Sequence, residues 1–114
     1  MKRVYFPGDQ EHPDIETSRR LFPQDLFGGM VSFEIKDAGR QEVFAFMDAL
    51  RMIVPATTLG DVHSLMLYPA ISSHRDLAPK HRERLGIRDS LVRLSAGIEA
   101  VEDIEADLDQ ALKR

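Results

Sequence analysis

The chain has 114 residues, 43% apolar and 30% charged, ordinary proportions for one folded domain and too apolar for a disordered one. Its formal net charge of −4 disfavours general nucleic-acid binding, which needs cations to displace counterions. The absence of cysteine excludes disulfides, thiolate chemistry and cysteine–zinc sites. No apolar run reaches the ~18 residues of a membrane-spanning helix, and Pro7-Gly8-Asp9 cuts off any signal-peptide core, so the expected setting is the cytoplasm, away from membranes.

Val4 to Phe6 is a short apolar stretch stopped by Pro7-Gly8, a strand running into a turn. Pro13 suits the first turn of a helix reaching Arg20. Asp25 to Gly29 reads as a loop whose glycine pair permits a tight turn into the next strand. Met30 to Ile35 alternates, predicting a strand that buries Met30 or Val31, Phe33 and Ile35 on one face. Asp37 is the expected cap of a helix from Arg40 to Met52, with Val43, Met47 and Leu50 at helical spacing and Phe44 and Phe46 beside them. Ile53-Val54-Pro55 ends it, and Ala56 to Asp61 is extended or loop.

Val62 to Tyr68 is a second strong strand candidate, closed by Pro69. Ser72-Ser73 is a polar turn able to cap a basic helix from about Pro79 to Leu85, stopped at Gly86. Ser90 to Ser95 alternates again, with Leu91, Arg93 and Ser95 on one face and Val92 and Leu94 on the other. After Gly97, the stripe Val101, Ile104, Leu108 and Ala111-Leu112 marks a terminal amphipathic helix with acids in its early turns. The basic run from Arg75 to Arg88 and the acidic run from Glu99 read as solvated helix faces rather than a phosphate site. Alternating strands and helices predict an α/β two-layer sandwich with helices on one sheet face. Phe33 and Met66 would then be left on the other face for a partner surface.

Chemical motifs are sparse. His12, His63, His74 and His81 make no metal-binding pair, no GxSxG serine elbow exists, and Gly28-Gly29 lacks a phosphate loop's other glycine and lysine. Arg93 stands out. A guanidinium within Leu91-Val92-Arg93-Leu94 costs desolvation unless something negative meets it, and its fork matches a carboxylate. A strand arginine with its head in water, or paired with a core acid, is the plainer reading.

Segments along the whole chain resemble the pyridoxal-phosphate enzymes of cysteine and methionine metabolism. They are Val4-Tyr5-Phe6-Pro7-Gly8 with His12-Pro13, Gly28-Gly29-Met30-Val31-Ser32-Phe33-Glu34, Thr58-Leu59-Gly60-Asp61 leading to Ser64-Leu65, Pro69-Ala70 with His74, Gly86-Ile87, Leu91-Val92-Arg93-Leu94-Ser95-Ala96-Gly97-Ile98-Glu99, Glu102-Asp103-Ile104 and Asp107-Leu108-Asp109-Gln110-Ala111-Leu112. The family includes cystathionine γ-synthase, the cystathionine lyases, methionine γ-lyase and O-acetylhomoserine sulfhydrylase. The resemblance is to its C-terminal domain, spanning residues 1–114, and implies a small, mainly antiparallel four-stranded sheet with helices on one face.

It also implies roles. Arg93 occupies the position that holds the substrate α-carboxylate. Thr58 stands where the family usually has a serine near the substrate. Thr57 stands where many cystathionine-specific γ-enzymes have glutamate, which leans towards methionine γ-lyase- or sulfhydrylase-like substrates. The implied chemistry is β- or γ-elimination or replacement on a sulfur amino acid, methionine γ-lyase- or cystathionine lyase-like.

The family's Schiff-base lysine, pyridine-nitrogen acid and phosphate loop belong to its larger preceding domain. Lys2, Lys36, Lys80 and Lys113 lack the serine/threonine-rich lead-in to that lysine. The chain alone is therefore expected to hold no pyridoxal phosphate, no metal and no catalytic residue of its own, and to be inactive. It would depend on an N-terminal cofactor domain in cis or in trans and assemble as a homo-oligomer. The alternative is a stand-alone, non-catalytic binding or dimerisation module of the same descent.

Overall fold

Hydrophobic alternation and helical stripes decide where the chain buries itself. The computed structural model describes residues 3–71 and 78–113. The expected cap Ser72-Ser73, as well as His74, Arg75 and Asp76, lie outside them. In chain order come β1 (Arg3–Tyr5), α1 (Ile15–Leu21), a 3-10 turn (Pro23–Asp25), β2 (Met30–Glu34), α2 (Arg40–Ala49), β3 (Val54–Pro55), β4 (Leu65–Leu67), α3 (Pro79–Arg84), β5 (Leu91–Ser95) and α4 (Val101–Leu112). Most lie where the sequence predicts them, with trimmed ends. Pro13 sits just outside α1, whose N-cap is Asp14.

The strands form one five-stranded sheet in the order β1-β2-β5-β4-β3. Three neighbouring pairs are antiparallel, while β3 runs parallel to β4. The sheet is therefore mixed and five-stranded, not the expected four-stranded one. The extra strand is the stretch expected only to terminate α2. Val54 N–H donates to the Ser64 carbonyl at 3.0 Å and Ala56 N–H to the Met66 carbonyl at 3.0 Å. The ladder bonds bracket Pro55, so the missing proline N–H costs nothing at this edge.

Across the central pair, Met30 faces Ser95, Ser32 faces Arg93 and Phe33 faces Val92. Alternation puts Phe33, Met66, Val92 and Leu94 on the side of α2 and α4, where they join Val43, Phe46, Ile53, Ile104 and Ala111 in the core. Phe33 and Met66 are buried there, which overturns their expected place on an open face. Period-2 alternation tells which residues share a face, not which face the helices will cover. Phe33 and Phe46 meet edge to face, with centroids 6.1 Å apart and rings at 83°.

The expected cap Asp37 lies in a left-handed conformation (φ 53°), and the N-cap of α2 is Gly39, whose N–H donates to Glu42 Oε2 at 3.3 Å. At the other end of α2, the terminal helix intervenes. Asp107 of α4 is buried and accepts from three successive backbone N–H groups, those of Arg51 (2.8 Å), Met52 (2.9 Å) and Ile53 (2.8 Å). Gln110 donates both to Asp107 Oδ1 (2.9 Å) and to the Ala49 carbonyl (2.6 Å). One acid of the presumed solvated run is thus a buried anchor. Burial raises its pKa, but the three backbone donors and Gln110 outweigh that and hold the carboxyl below its ordinary range. No helix among the described residues is long and apolar enough to cross a membrane.

Candidate substrate-binding site

The sheet face turned away from α2 and α4 carries Ser32, Glu34, Leu65, Leu67, Leu91, Arg93 and Ser95 by register. Arg93 sits at its middle, between Ser32 on β2 and Leu67 on β4. Aliphatic neighbours on either side of it in β5 are buried and fix the strand, so the guanidinium stem has one direction to go. Its Nη2 donates to the Thr58 carbonyl at 3.5 Å, the long limit of a hydrogen bond. Its Nε is buried and has no hydrogen-bond partner among the described residues. A buried N–H left unmatched costs roughly 1–3 kcal/mol. A planar anion that accepts from both edges of the fork would recover that cost.

The loop after β3 delivers Thr58 to this point and is tied down along its length. Gly60 N–H donates to Ser95 Oγ (3.0 Å), two residues from Arg93 on the same face. Ile98 N–H donates to the Val62 carbonyl (2.9 Å). Ser64, fully buried, donates through Oγ to Glu99 Oε1 (2.8 Å) and through its N–H to Glu99 Oε2 (2.8 Å), and Gly97 N–H closes the ring on Ser64 Oγ (2.9 Å). The Ser64 N–H, then its hydroxyl, holds the Glu99 carboxyl below its ordinary range. Gly97 is required by closeness: a Cβ there would lie 2.2 Å from the Val62 carbonyl oxygen. Gly28 serves at the start of β2, with φ +84°.

Of the three sequence-predicted residues, Arg93 and Thr58 come together, through the Thr58 backbone carbonyl rather than its hydroxyl. Thr57 is exposed and lines a groove of about 230 Å³ with Pro55, Leu67 and Tyr68. Sequence reasoning missed the Ser64–Glu99–Gly97 clasp, although all three residues lie in the quoted segments. Their signal is a pairing across more than thirty residues, which spacing does not carry.

A second polar centre on this face is also unforeseen. Glu34 is buried, accepting from the Tyr5 hydroxyl at 2.7 Å and facing Arg88 Nη1 and Ser90 Oγ at 3.4 Å. Burial first, then the bond to Glu34 and its charge, raises the Tyr5 phenol above 10.0.

None of the described lysines has the buried setting of a Schiff-base lysine. Lys36, Lys80 and Lys113 are all exposed, and Lys113 pairs with Asp109 at 2.8 Å. A buried lysine is what a Schiff-base position needs. Among the described residues, no group of three or more His, Asp or Glu could hold a metal ion.

The profile of the Cys/Met metabolism PLP-dependent enzymes matches residues 1–113. The chain is 42% identical to O-succinylhomoserine sulfhydrylase of Pseudomonas aeruginosa over 98% of its length and 27% of that protein's. It is 40% identical to L-methionine gamma-lyase of Fusobacterium nucleatum over its whole length and 28% of the relative. Among solved structures, cystathionine gamma synthase from Xanthomonas oryzae pv. oryzae in complex with aminoacrylate and cysteine superposes with a TM-score of 0.86 at 41% identity, covering 97% of this chain and 28% of the other. The chain thus spans little more than a quarter of the relatives it matches.

Proposed function

The chain belongs to the Cys/Met metabolism PLP-dependent enzyme family, and from that premise we propose that it is the C-terminal domain of a sulfur amino-acid lyase or transferase and supplies the receptor for the substrate α-carboxylate. The reaction is a β- or γ-elimination or replacement, with the pyridoxal phosphate and its lysine carried by an N-terminal cofactor domain in cis or in trans. The assembly is a cytoplasmic homo-oligomer.

One observation carries the reading. The buried Nε of Arg93, unmatched among the described residues, stands beside an Nη2 that makes a weak bond to the Thr58 carbonyl. Arg93 contributes orientation: a carboxylate gripped at two points fixes the amino acid relative to whatever breaks its bonds. Thr58 bounds the same point through its carbonyl, and the clasp at Ser64 and Glu99 keeps that loop in register.

The test is Arg93→Ala and Arg93→Lys in the chain joined to, or co-expressed with, the cofactor-binding portion of a family enzyme. A charge-assisted hydrogen bond is worth about 1.5–3 kcal/mol, so Arg93→Ala should raise KM at least ~10-fold. Arg93→Lys should restore part of the loss by returning the charge without the fork. An unchanged KM in both variants refutes the assignment.

A further inference from the structure

Four large apolar side chains stand on the two loops that the Ser64–Glu99 clasp holds together. Leu59 and Val62, between β3 and β4, are 58% and 56% exposed; Ile98 and Val101, after β5, are 82% and 60% exposed. None of the four belongs to the core. The two loops make one surface, because Ile98 N–H donates to the Val62 carbonyl at 2.9 Å and Gly97 N–H to Ser64 Oγ at 2.9 Å. Exposed apolar residues scattered singly are ordinary, whereas a group of them marks an interaction surface. This group adjoins the candidate site. Leu59 directly follows Thr58, whose carbonyl accepts from Arg93, and Gly60 N–H donates to Ser95 Oγ on the Arg93 face.

We propose that this surface docks the cofactor-bearing portion of the family enzyme, so that the loops bordering Arg93 also seat the polypeptide that completes its site. This rests on the reading of Arg93 given above. The chain spans 27–28% of the relatives it matches, so most of their length lies outside it. The reacting atoms of an amino acid held at Arg93 lie within one small molecule's length of the guanidinium. Whatever acts on them must approach the same place, and Leu59 and its three neighbours are the apolar surface it meets there. A second copy of these 114 residues would bring another Arg93 to the spot and, among the described residues, no lysine in a Schiff-base setting. Leu21 and Leu85 are comparably exposed, but they lie on α1 and after α3, away from the loops that touch Arg93.

The experiment is co-expression of the chain with a tagged cofactor-binding portion of a family enzyme, with Kd of the purified complex measured by sedimentation and KM by turnover. Burying one large apolar side chain is worth about a factor of 10 or more, so Ile98→Glu and Val101→Glu should each raise Kd at least ~10-fold. Val101→Glu places an acid in the first turn of α4, where the helix dipole favours it, so its loss of binding does not come from unfolding. Leu21→Glu and Leu85→Glu should leave Kd as it was. Arg93→Ala should raise KM and leave Kd as it was. An unchanged Kd for both Ile98→Glu and Val101→Glu, or an equal loss in Leu21→Glu, overturns the docking surface; a raised KM in Arg93→Ala then leaves Arg93 as carboxylate receptor. The chain alone sedimenting as a dimer that Ile98→Glu splits overturns it too, in favour of a second copy. No complex with the wild-type chain, or an unchanged KM in Arg93→Ala, overturns this inference; the unchanged KM removes the Arg93 reading with it.

Discussion

Asp107 holds the bend between α2 and β3 by collecting three consecutive backbone N–H groups on one carboxylate. Replacing it with alanine leaves those donors unmatched, including that of Ile53, which is only 2% exposed. Each is a bond to a charged acceptor worth about 1.5–3 kcal/mol, and they are not additive because one side chain makes all three. The expected loss for Asp107→Ala is about 3–5 kcal/mol, a large share of the ~5–15 kcal/mol that holds a domain folded.

Asp107→Asn keeps the shape but turns one acceptor into a donor. With its amide nitrogen at the Oδ1 position, it loses the Arg51 and Gln110 bonds and keeps those of Met52 and Ile53. The expected loss is about 2–3 kcal/mol. With a urea m-value of roughly 1.5–2 kcal/mol/M, the midpoint falls by about 1–2 M at unchanged m.

The native carboxyl lies below its ordinary value of 3.8, so its contribution is full above the unfolded pKa and is lost as pH falls through the native one. The unfolded chain takes up the proton first. The wild type should therefore lose stability on acidification below about pH 4 more steeply than Asp107→Asn, whose profile is flattened there. A urea midpoint for Asp107→Asn within ~0.3 M of wild type, or parallel acid profiles for the two proteins, would refute this account.

Two shorter expectations follow from the same structure. Gly97→Ala puts a methyl 2.2 Å from the Val62 carbonyl oxygen and 2.6 Å from the His63 carbonyl carbon, both backbone, so the loop must move. A loss of about 1–3 kcal/mol on urea unfolding is expected, and an unaltered midpoint would contradict it. Ultraviolet titration should find the Tyr5 phenol ionising above 10.0, with Glu34→Gln moving it back towards that value by removing the charge beside it; no movement would show that the pair is not coupled.

The alternation of Met30 to Ile35 and of Ser90 to Ser95 was enough to locate β2 and β5 and to set Arg93 on a different face from Val92 and Leu94. It could not say which face the helices would cover, because Phe33 and Met66 look the same from either side. The strand at Val54–Pro55 was invisible for a local reason: two residues, one a proline, carry no period, and the strand exists only because Ser64 and Met66 offer carbonyls. Asp107 was hidden for the opposite reason. It sits in an acidic run that looks solvated, and its backbone partners are 54 to 56 residues away. At the site, the strand arginine was legible from the cost of burying a charge. The clasp that steadies its neighbouring loop was not, because backbone donors leave no mark in a sequence.

The two outer strands of the sheet have a bearing on how this chain meets its neighbours. One is three residues long and begins with an exposed arginine; the other is two residues long and contains a proline. An unpaired edge invites another chain to add itself by main-chain hydrogen bonds, the first step of fibre growth and domain exchange. Here neither edge offers a ladder long enough to copy. Edges this short give edge-to-edge aggregation little to build on. Any specific association is left to side-chain surfaces, where shape and charge can choose the partner.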